Sequence, residues 1–411
     1  MTSILFENAR LFDGETDHLR DNVSVLVEGE RIREVADGAI KSRDAERIDL
    51  KGRTLMPGLI DAHFHAYATE LDLGKAGDTP RSLHALEARV LLENALKRGF
   101  TTVRDAAGAD YGLARATERG LIKGPRIFYS GRAITQTGGH GDFRGPAKEF
   151  AEPCACASSN FMSWVADGPD EVRKAAREEL RKGADQIKIF VSGGISSPSD
   201  PVWMPQFSDD EIRAAVAEAA TRRTYVLAHA YTAESIALAV RCGVRSIEHG
   251  NLIDRAAAEA VRKHEAFVVP TLVTYDAFHK FGREGGAPEF LLKKLEDVRT
   301  AGLGALSILE EVGVQTGFGT DLLGELHVHQ SEEFLIRAQV MKPIDILRSA
   351  TGVNARLLNR AGELGVVKSG ALADLVVVDG DPLEDLSLLT HQGAHMPIIM
   401  KGGAMMKMEI V

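Results

Sequence analysis

The chain carries two histidines separated by one residue, His63 and His65, at the end of an apolar run that begins at Leu59. Alternate side chains of a β-strand point to the same face, so the two imidazoles should project together. Two such rings can hold one metal ion, because neutral imidazole nitrogens are good zinc ligands. A pair of surface histidines near a turn has the same short pattern. The motif therefore predicts a metal site only if other ligands are found in the chain.

Four such side chains do follow, each at the end of a strand-like segment: Lys188, His229, His249 and Asp321. Each has an ordinary explanation when it is taken alone. The histidines could be hydrogen-bonded core residues, and an aspartate after a strand is often the N-cap of the next helix. The presence of six ligand-type side chains at strand ends favours one shared metal site over six separate explanations.

These side chains need a scaffold that brings distant strand ends together. The middle of the chain alternates strand-like and helix-like segments, and the eight strand candidates are residues 59–65, 100–105, 126–129, 185–191, 224–229, 244–249, 267–271 and 314–321. Repeated βα units of that number predict an α/β fold, a (β/α)8 TIM barrel over residues 57–361. Catalytic residues of such barrels come from the carboxyl ends of the strands, where all six candidates stand.

The two ends of the chain have a different, shorter pattern. Residues 22–28 and 31–35 alternate around a Gly-containing turn and predict a hairpin, and residues 46–56 predict a second strand pair. Residues 364–367, 373–379 and 397–400 predict strands near the other end. Two all-β segments on either side of a long middle predict one composite β-sandwich domain, formed by residues 1–56 and 362–411.

Charge and hydropathy exclude some classes of partner. The net charge of −10 argues against nucleic acid, which needs clustered Lys and Arg. No apolar run reaches the ~18 residues of a membrane span, so we expect no membrane partner. Residues 1–10 lack the basic head and apolar core of a signal peptide, which predicts a cytoplasmic protein. A sequence trimmed of an export signal would look the same.

The cysteines and one long irregular segment give weaker signals. Three cysteines, Cys154, Cys156 and Cys242, cannot form a disulfide framework for 411 residues. Cys154 and Cys156 could form half of a metal site, but no second half is present, and we interpret them as part of a loop. Residues 135–164 are rich in Gly, Pro, Ser and Cys, and this length without regular structure predicts an active-site lid.

Lys188 is the most unusual of the candidate ligands, because it lies between Ile187 and Ile189. On a half-buried strand such a lysine would simply be exposed. In a barrel strand both faces are covered, so burial should shift the lysine toward the neutral amine. A neutral amine can react with carbon dioxide to give a carbamate, an anionic oxygen ligand that can bridge two metal ions.

Together these residues resemble the metal-dependent amidohydrolase superfamily, which has H-x-H after strand one, a carboxylated lysine after strand four, histidines after strands five and six, and aspartate after strand eight. The segments at 57–63, 191–194, 229–232, 246–250 and 319–321 are similar to the imidazolonepropionase-related branch. Within that branch they are similar to dipeptidases, the prolidases and Xaa-Arg/Lys carboxypeptidases, and to ochratoxin-hydrolysing amidohydrolases. The resemblance covers essentially the whole chain.

The resemblance implies two divalent metal ions, expected to be zinc, with manganese or cobalt as alternatives. The implied ligands are His63, His65 and Asp321 for one ion and His229 and His249 for the other, with carboxylated Lys188 between them. The implied reaction is hydrolysis of an amide next to a free C-terminal carboxylate, in a dipeptide or an N-acyl amino acid, by attack of a metal-bridging hydroxide. Asp321 would act as base and then acid. The family also implies a homo-oligomer.

Substrate contacts are less clearly indicated. In the similar dipeptidases the tyrosine at the position of Tyr231 contacts the substrate carboxylate. His140 could donate to the substrate carbonyl oxygen or be an ordinary loop histidine. Arg144 could pair with a carboxylate, as guanidinium groups do, or be solvated. His327 and His329 form a second H-x-H and are predicted to be loop or surface histidines, at most lining the pocket mouth.

Two alternatives to this function are considered. A cyclic-amide hydrolase or deaminase of the same superfamily would use a similar metal site on another substrate. A non-catalytic relative would use the fold as an interaction scaffold, but such relatives typically lack metal ligands, and none is missing here.

Overall fold

The structure is a computed structural model that describes residues 3–144 and 161–409. The strands are β1 (Ser3–Leu11), β2 (Arg20–Glu28), β3 (Arg31–Asp37), β4 (Glu46–Asp49), β5 (Thr54–Pro57), β6 (Leu59–Phe64), β7 (Phe100–Asp105), β8 (Arg126–Tyr129), β9 (Ala133–Thr135), β10 (Ser163–Val165), β11 (Ile187–Phe190), β12 (Val226–Thr232), β13 (Ser246–Leu252), β14 (Phe267–Val269), β15 (Gln315–Thr316), β16 (Leu375–Val378), β17 (Ile398–Lys401) and β18 (Ala404–Met408).

Helices separate most of the central strands. They are α1 (Leu73–Ala76), α2 (Arg81–Lys97), α3 (Tyr111–Glu118), α4 (Gly168–Arg181), α5 (Asp209–Thr221), α6 (Ala233–Arg241), α7 (Arg255–Lys263), α8 (Leu272–Phe281), α9 (Glu289–Arg299), α10 (Gly302–Val312), α11 (Glu332–Arg337), α12 (Pro343–Arg348) and α13 (Asn354–Leu357). Short 3-10 helices span Gly324–His329, Leu386–Leu389 and His391–Gly393, and one π-helical turn spans Ser349–Val353.

The terminal strands form one mixed sheet from both ends of the chain. Its order is β18-β17-β16-β5-β1-β2-β3, with β4 also paired to β1. The hairpin of β2 and β3 confirms the pattern at residues 22–35. The predicted pairing within residues 46–56 is wrong, because β4 and β5 each pair in parallel with β1 instead. The strand predicted at 364–367 is wrong too, since that segment holds only an isolated bridge at Leu364.

The central strands are parallel, as the βα repeats predict. They form a three-stranded sheet, β6-β7-β8, and a seven-stranded sheet, β10-β9-β11-β12-β13-β14-β15. The last predicted strand, 314–321, is shorter than expected, since only β15 has strand geometry there. Two strands, β9 and β10, overlap the ends of the segment predicted to be a lid. Most of that segment, with Cys154 and Cys156, lies outside the described residues.

Local sequence explains where two of the helices begin or end. Helix α5 begins with a capping box, in which Ser208 and Glu211 satisfy each other's terminal amides. Helix α4 ends before Gly183, whose positive φ of 93° suits glycine. Apolar faces of these helices pack on the strands in one buried cluster that includes Val172, Ile189 and Ile212.

Backbone hydrogen bonds link the two parallel sheets at two places. On one side Asp185 N–H donates to the Tyr129 carbonyl at 2.8 Å, and on the other Ala62 N–H donates to the Phe318 carbonyl at 2.8 Å. Asn354 strengthens the second connection, because its amide nitrogen donates to Ile60 O at 2.7 Å and Phe318 O at 2.8 Å. This edge places the first and last strand ends next to each other. No helix within the described ranges is long and apolar enough to cross a membrane.

Replacing the bridging amide should weaken this edge. We expect Asn354→Ala to lower the free energy of unfolding by about 2–4 kcal/mol, because buried carbonyls lose their donor and a small void opens. Urea unfolding followed by fluorescence measures the effect. Asn94→Ala, on the outer helix α2, is the matched control and should change stability by less than about 0.5 kcal/mol. Equal stability of the two variants would show that the amide does not hold the edge.

Candidate metal and active site

The first strand end supplies two histidines, as the spacing predicts. All six residues of β6, including His63, are buried, and His65 directly after the strand is buried as well. His63 Nδ1 bonds to the Glu248 carboxylate at 2.6 Å, and His65 Nδ1 donates to the Ala107 carbonyl at 3.0 Å. Each ring therefore has its Nε2 atom left for the site. Both Nε2 atoms face Asp321 Oδ1, at 3.4 Å for His63 and 3.0 Å for His65.

The other two histidines are held in the same manner. His249 Nδ1 bonds to the Thr271 hydroxyl at 2.8 Å, which leaves Nε2. His229 uses the opposite nitrogen, since its Nε2 bonds to the Gly193 carbonyl at 3.1 Å and leaves Nδ1. The two rings touch, with centroids 4.6 Å apart. Burial lowers the pKa values of both histidines well below 6.5, and neighbouring positive charges add to that shift.

Backbone strain marks two of the strand ends. His249 has a φ of 75° and Asp321 a φ of 52°, both in the left-handed region that residues with side chains rarely adopt. Such conformations cost of order 1–3 kcal/mol each and persist where the surroundings enforce them, often at functional sites. Burial raises the pKa of Asp321, but the imidazoles of His63 and His65 outweigh it and hold the pKa well below 3.8.

The resulting group has the chemistry of a metal site. Ligand atoms of His63, His249 and Asp321 all lie within 4.8 Å of one another. The His63 ring centroid is 5.2 Å from that of His65 and 4.9 Å from that of His249. Imidazole nitrogens with one carboxylate are donors that suit zinc and related divalent ions, so the residues present fit such an ion.

Lys188 opens onto the same cavity from β11. Its side chain is 2% exposed, which confirms the burial expected from its apolar neighbours. Burial lowers the pKa of Lys188 to about 8, although the negative charges of Glu248 and Asp321 act in the opposite direction. The amine therefore has an appreciable neutral fraction near neutral pH.

Sequence reasoning missed the charged residues that orient these ligands. Glu248 is fully buried and holds His63, while Arg104 Nη2 donates to both oxygens of Glu248 at 2.8 Å. Ser246 also donates to Glu248, at 2.6 Å. Burial raises the pKa of Glu248, but Arg104 and His63 outweigh it and keep the carboxylate ionised. A signal was available, because Arg104 and Glu248 are charged residues within predicted barrel strands, as Lys188 is.

Two buried aspartates hold the backbone beside the first strand. Asp61 accepts from His63 N–H at 3.0 Å and from the Thr320 hydroxyl at 2.6 Å, which ties β6 to the last strand end. Asp105 accepts from Ala66 N–H at 2.7 Å, just after His65. Burial raises the pKa of Asp105 to about 6. These contacts keep the H-x-H segment in one conformation.

Two of the three candidate substrate contacts, His140 and Tyr231, lie beside the candidate ligands, whereas Arg144 is not among the described residues that line the cavity. His140 is buried and stacks on His229, with ring centroids 4.3 Å apart. Tyr231 is buried, and its hydroxyl accepts from the Tyr275 hydroxyl at 3.1 Å. Arg144 forms a bidentate ion pair with Asp142, at 2.7 and 2.6 Å. His140 and Tyr231 line the cavity with the metal-type ligands.

The prediction that His327 is a loop or surface histidine is wrong. It lies in a 3-10 helix and is 2% exposed, with its ring 4.7 Å from that of Phe64. Burial lowers the pKa of His327 to about 3. His329 is half-buried, bonded to Glu332 at 2.6 Å and stacked on Phe281. The contact with Phe64 comes from a distant part of the chain, so the burial of His327 was not recognisable from an H-x-H pattern.

The cavity beside the ligands has mostly apolar walls. Its described apolar lining comprises Leu73, Ala107, Phe143, Met162, Phe190, Ile195 and Leu323. Among the described lining residues the carboxylates and amines are limited to Asp321 and Lys188. The arrangement combines a compact, polar cluster of ligands with an apolar space for a bound molecule.

Buried imidazoles and a carboxylate at the ends of parallel strands define an α/β protein with a site of metal-binding type. The model of the Amidohydrolase family matches residues 54–405, so the chain belongs to this family and is a hydrolase. Ochratoxinase of Aspergillus niger is 32% identical over 367 residues, which cover 86% of this chain and 75% of that protein. Imidazolonepropionase of Methylobacterium sp. (strain 4-46) is 28% identical over 396 residues, covering 84% of this chain and 88% of that protein.

A solved structure is still more similar. A crystal structure of a prolidase complexed with N-methylphosphonate-L-proline is 49% identical, covers 99% of this chain and 100% of its own, and superposes with a TM-score of 0.97. The resemblance to the amidohydrolase superfamily and its imidazolonepropionase and prolidase branch is thereby confirmed.

The hydroxyl that orients His249 gives a test of metal binding that needs no substrate. We expect Thr271→Val to weaken zinc affinity by about 10- to 100-fold, because the ring loses the partner that fixes its Nε2 direction. Competition with a fluorescent zinc chelator measures the affinity. Thr271→Ser keeps the hydroxyl and should bind like the natural protein. Thr274→Val is the matched control, since that hydroxyl is buried and has no hydrogen-bond partner in the described part of the chain. Unchanged affinity in Thr271→Val would contradict this role.

Proposed function

We propose that the protein is a binuclear-metal amidohydrolase that cleaves an amide bond next to a free C-terminal carboxylate, in a dipeptide or an N-acyl amino acid. The observation that carries the proposal is the convergence of His63, His249 and Asp321 to within 4.8 Å beside an apolar cavity. The similarity to a prolidase crystallised with a proline-containing phosphonate supports the substrate class.

The metal ligands in this proposal are His63, His65, Lys188, His229, His249 and Asp321. Two divalent ions, most simply zinc, would supply an activated water and polarise the substrate carbonyl. Lys188 is proposed to be carboxylated, since its buried amine has a neutral fraction that can add carbon dioxide and give an anionic oxygen ligand. Glu248 and Thr271 orient their histidines from outside the site.

Asp321 is the proposed proton carrier. Its side chain keeps 22% exposure toward the cavity, while its oxygens stay beside the Nε2 atoms of His63 and His65. A carboxylate held ionised there can accept a proton from the attacking water. Asp321 can then deliver this proton to the leaving nitrogen, so that it acts first as a general base and then as a general acid.

Substrate orientation is assigned to three side chains. Tyr231 lies beside His229 and His249, where its hydroxyl can donate to the substrate carboxylate. His140, which stacks on His229, is the proposed contact to the substrate amide. Arg144 is a further carboxylate partner, although it would have to share its pairing with Asp142.

The cavity favours some leaving residues over others. Its described lining offers no carboxylate besides Asp321, so a positively charged leaving residue would have no further carboxylate partner among the described lining residues. Proline, and aromatic or aliphatic residues, suit the walls formed by Leu73, Phe190 and Leu323. The relation to ochratoxinase is consistent with an N-acyl amino acid as an alternative to a dipeptide.

We also infer that the two parallel sheets close into a (β/α)8 barrel over residues 57–361, since backbone hydrogen bonds link the two sheets at two places. Residues 1–56 and 362–411 then form a separate β-sandwich domain with its own apolar core, which draws on Ile4, Leu375 and Met400. The expected partners are small molecules or dipeptides and a second copy of the chain.

A substrate screen tests the proposed reaction. Zinc-loaded protein should hydrolyse Xaa-Pro dipeptides or N-acyl amino acids with apolar leaving residues faster than Xaa-Arg or Xaa-Lys, as measured by release of the free amino acid. Asp321→Asn should lower kcat by about 10²- to 10⁴-fold, because proton transfer is lost. The exposed Asp210→Asn is the control. Activity on cyclic amides alone would favour the other enzyme class. The absence of both bound metal and hydrolysis would favour a non-catalytic scaffold.

The role of Tyr231 has its own test. Tyr231→Phe should raise KM by about 10-fold for substrates with a free carboxylate, the loss expected for one hydrogen bond to a charged group. The KM for the corresponding C-terminal amides should not change. The exposed Tyr111→Phe controls for phenol removal. An equal rise in KM for acid and amide substrates would show that the hydroxyl does not read the carboxylate.

A further inference from the structure

The His140 imidazole is held at one edge by a pair of buried side chains. Its Nδ1 atom lies 2.7 Å from the Ser197 hydroxyl and 3.0 Å from Asp200 Oδ2. Ser197 and Asp200 are both completely buried. They belong to the segment that follows β11, about 60 residues from His140. Within the described part of the chain, the hydrogen bonds of the ring are therefore made at Nδ1.

The hydrogen positions in this cluster follow from its donors. Ser197 donates its hydroxyl hydrogen to Asp200 Oδ1 at 2.6 Å, so its oxygen is an acceptor toward His140. Gly194 N–H donates to Asp200 Oδ2 at 2.8 Å, and the carboxylate itself has no hydrogen to give when ionised. Both groups near Nδ1 are thus acceptors, and Nδ1 must carry the hydrogen. Nε2 is the nitrogen left for the cavity.

Lys294 on α9 anchors the segment and balances its charge. The ammonium donates to the carbonyls of Gly194 at 2.9 Å, Ser197 at 2.8 Å and Asp200 at 2.5 Å. It also lies 3.5 Å from Asp200 Oδ1. Three carbonyl contacts fold the segment around one cation, which fixes the position of the Asp200 carboxylate.

Packing leaves the ring little freedom to turn. A Cβ atom on Gly194 would lie 2.3 Å from Cε1 of His140, so the ring rests directly against that backbone. His229 stacks on the ring at 4.3 Å, and Phe190 meets it edge-on at 5.0 Å. The backbone of His140 is held as well, since its N–H donates to Gln206 Oε1 at 2.9 Å.

We propose that Asp200, with Ser197, is a positioning residue for His140 that keeps a hydrogen on Nδ1 and directs Nε2 into the cavity toward the substrate amide. This inference rests on the proposed function, which places His140 beside that amide. Asparagine cannot replace Asp200, because both carboxylate oxygens accept hydrogen bonds and an amide NH2 would face a donor on either side. Asp200 itself touches no substrate.

A double-mutant cycle separates positioning of His140 from a general role in holding the segment. We expect Asp200→Asn to lower kcat by about 10- to 100-fold with little change in KM, comparable to removal of a partner that orients a functional histidine. In a His140→Ala background the same substitution should lower kcat less than about 2-fold. Rates are measured on the fastest substrate of the screen, with zinc content and melting temperature recorded for every variant.

The controls exclude simpler explanations. Asp210→Asn, at an exposed position on α5, should leave kcat unchanged. Ser197→Ala should lower kcat less than Asp200→Asn, because the carboxylate can still accept from Nδ1. If Asp200→Asn costs as much without His140 as with it, Asp200 acts through the segment and the proposal is wrong.

A spectroscopic readout keeps the inference separate from the reaction. With ¹⁵N-labelled histidine in the zinc-loaded protein, the His140 signal, assigned by its loss in His140→Ala, should show a hydrogen on Nδ1. That hydrogen should be lost or redistributed in Asp200→Asn. A natural protein with an unprotonated Nδ1 would overturn the inference even if amides are cleaved. Failure to cleave any amide would instead count against the proposed function, and the imidazole signal would still test the positioning.

Discussion

The site depends on one buried ionic contact, the Glu248 carboxylate between Arg104 and His63. All three side chains are at most 1% exposed, so none can obtain its hydrogen bonds from water. A buried charge without a partner is costly, and removing any member would leave the others unsatisfied. The same contact sets the ring direction of His63. One set of buried side chains therefore both balances the charge in the core and orients a candidate metal ligand.

The other histidines follow the same rule with weaker partners. Carbonyl oxygens hold His65 and His229, a hydroxyl holds His249, and a carboxylate with a hydroxyl holds His140. Each ring presents to the cavity the nitrogen that its partner leaves. The strained backbone of His249 and Asp321 indicates that the fold gives up some stability to aim these groups.

Sequence reasoning succeeded where a pattern is local. The buried strand at His63 and the buried amine of Lys188 each follow from a few neighbouring residues. It failed where the partner lies elsewhere in the chain. His327 is buried by packing that its own segment does not reveal. Strand β4 pairs with β1 rather than with its sequence neighbour β5.

The sequence alone determined which side chains are available and that they stand at strand ends, because strand periodicity and chemical type are properties of short segments. The tertiary structure decided which nitrogen each imidazole offers and which carboxylates orient them. Those contacts join residues 185 positions apart for His63 and Glu248 and 60 apart for His140 and Asp200. Such pairs depend on how the strands and loops pack in three dimensions, and a linear pattern carries no record of that packing.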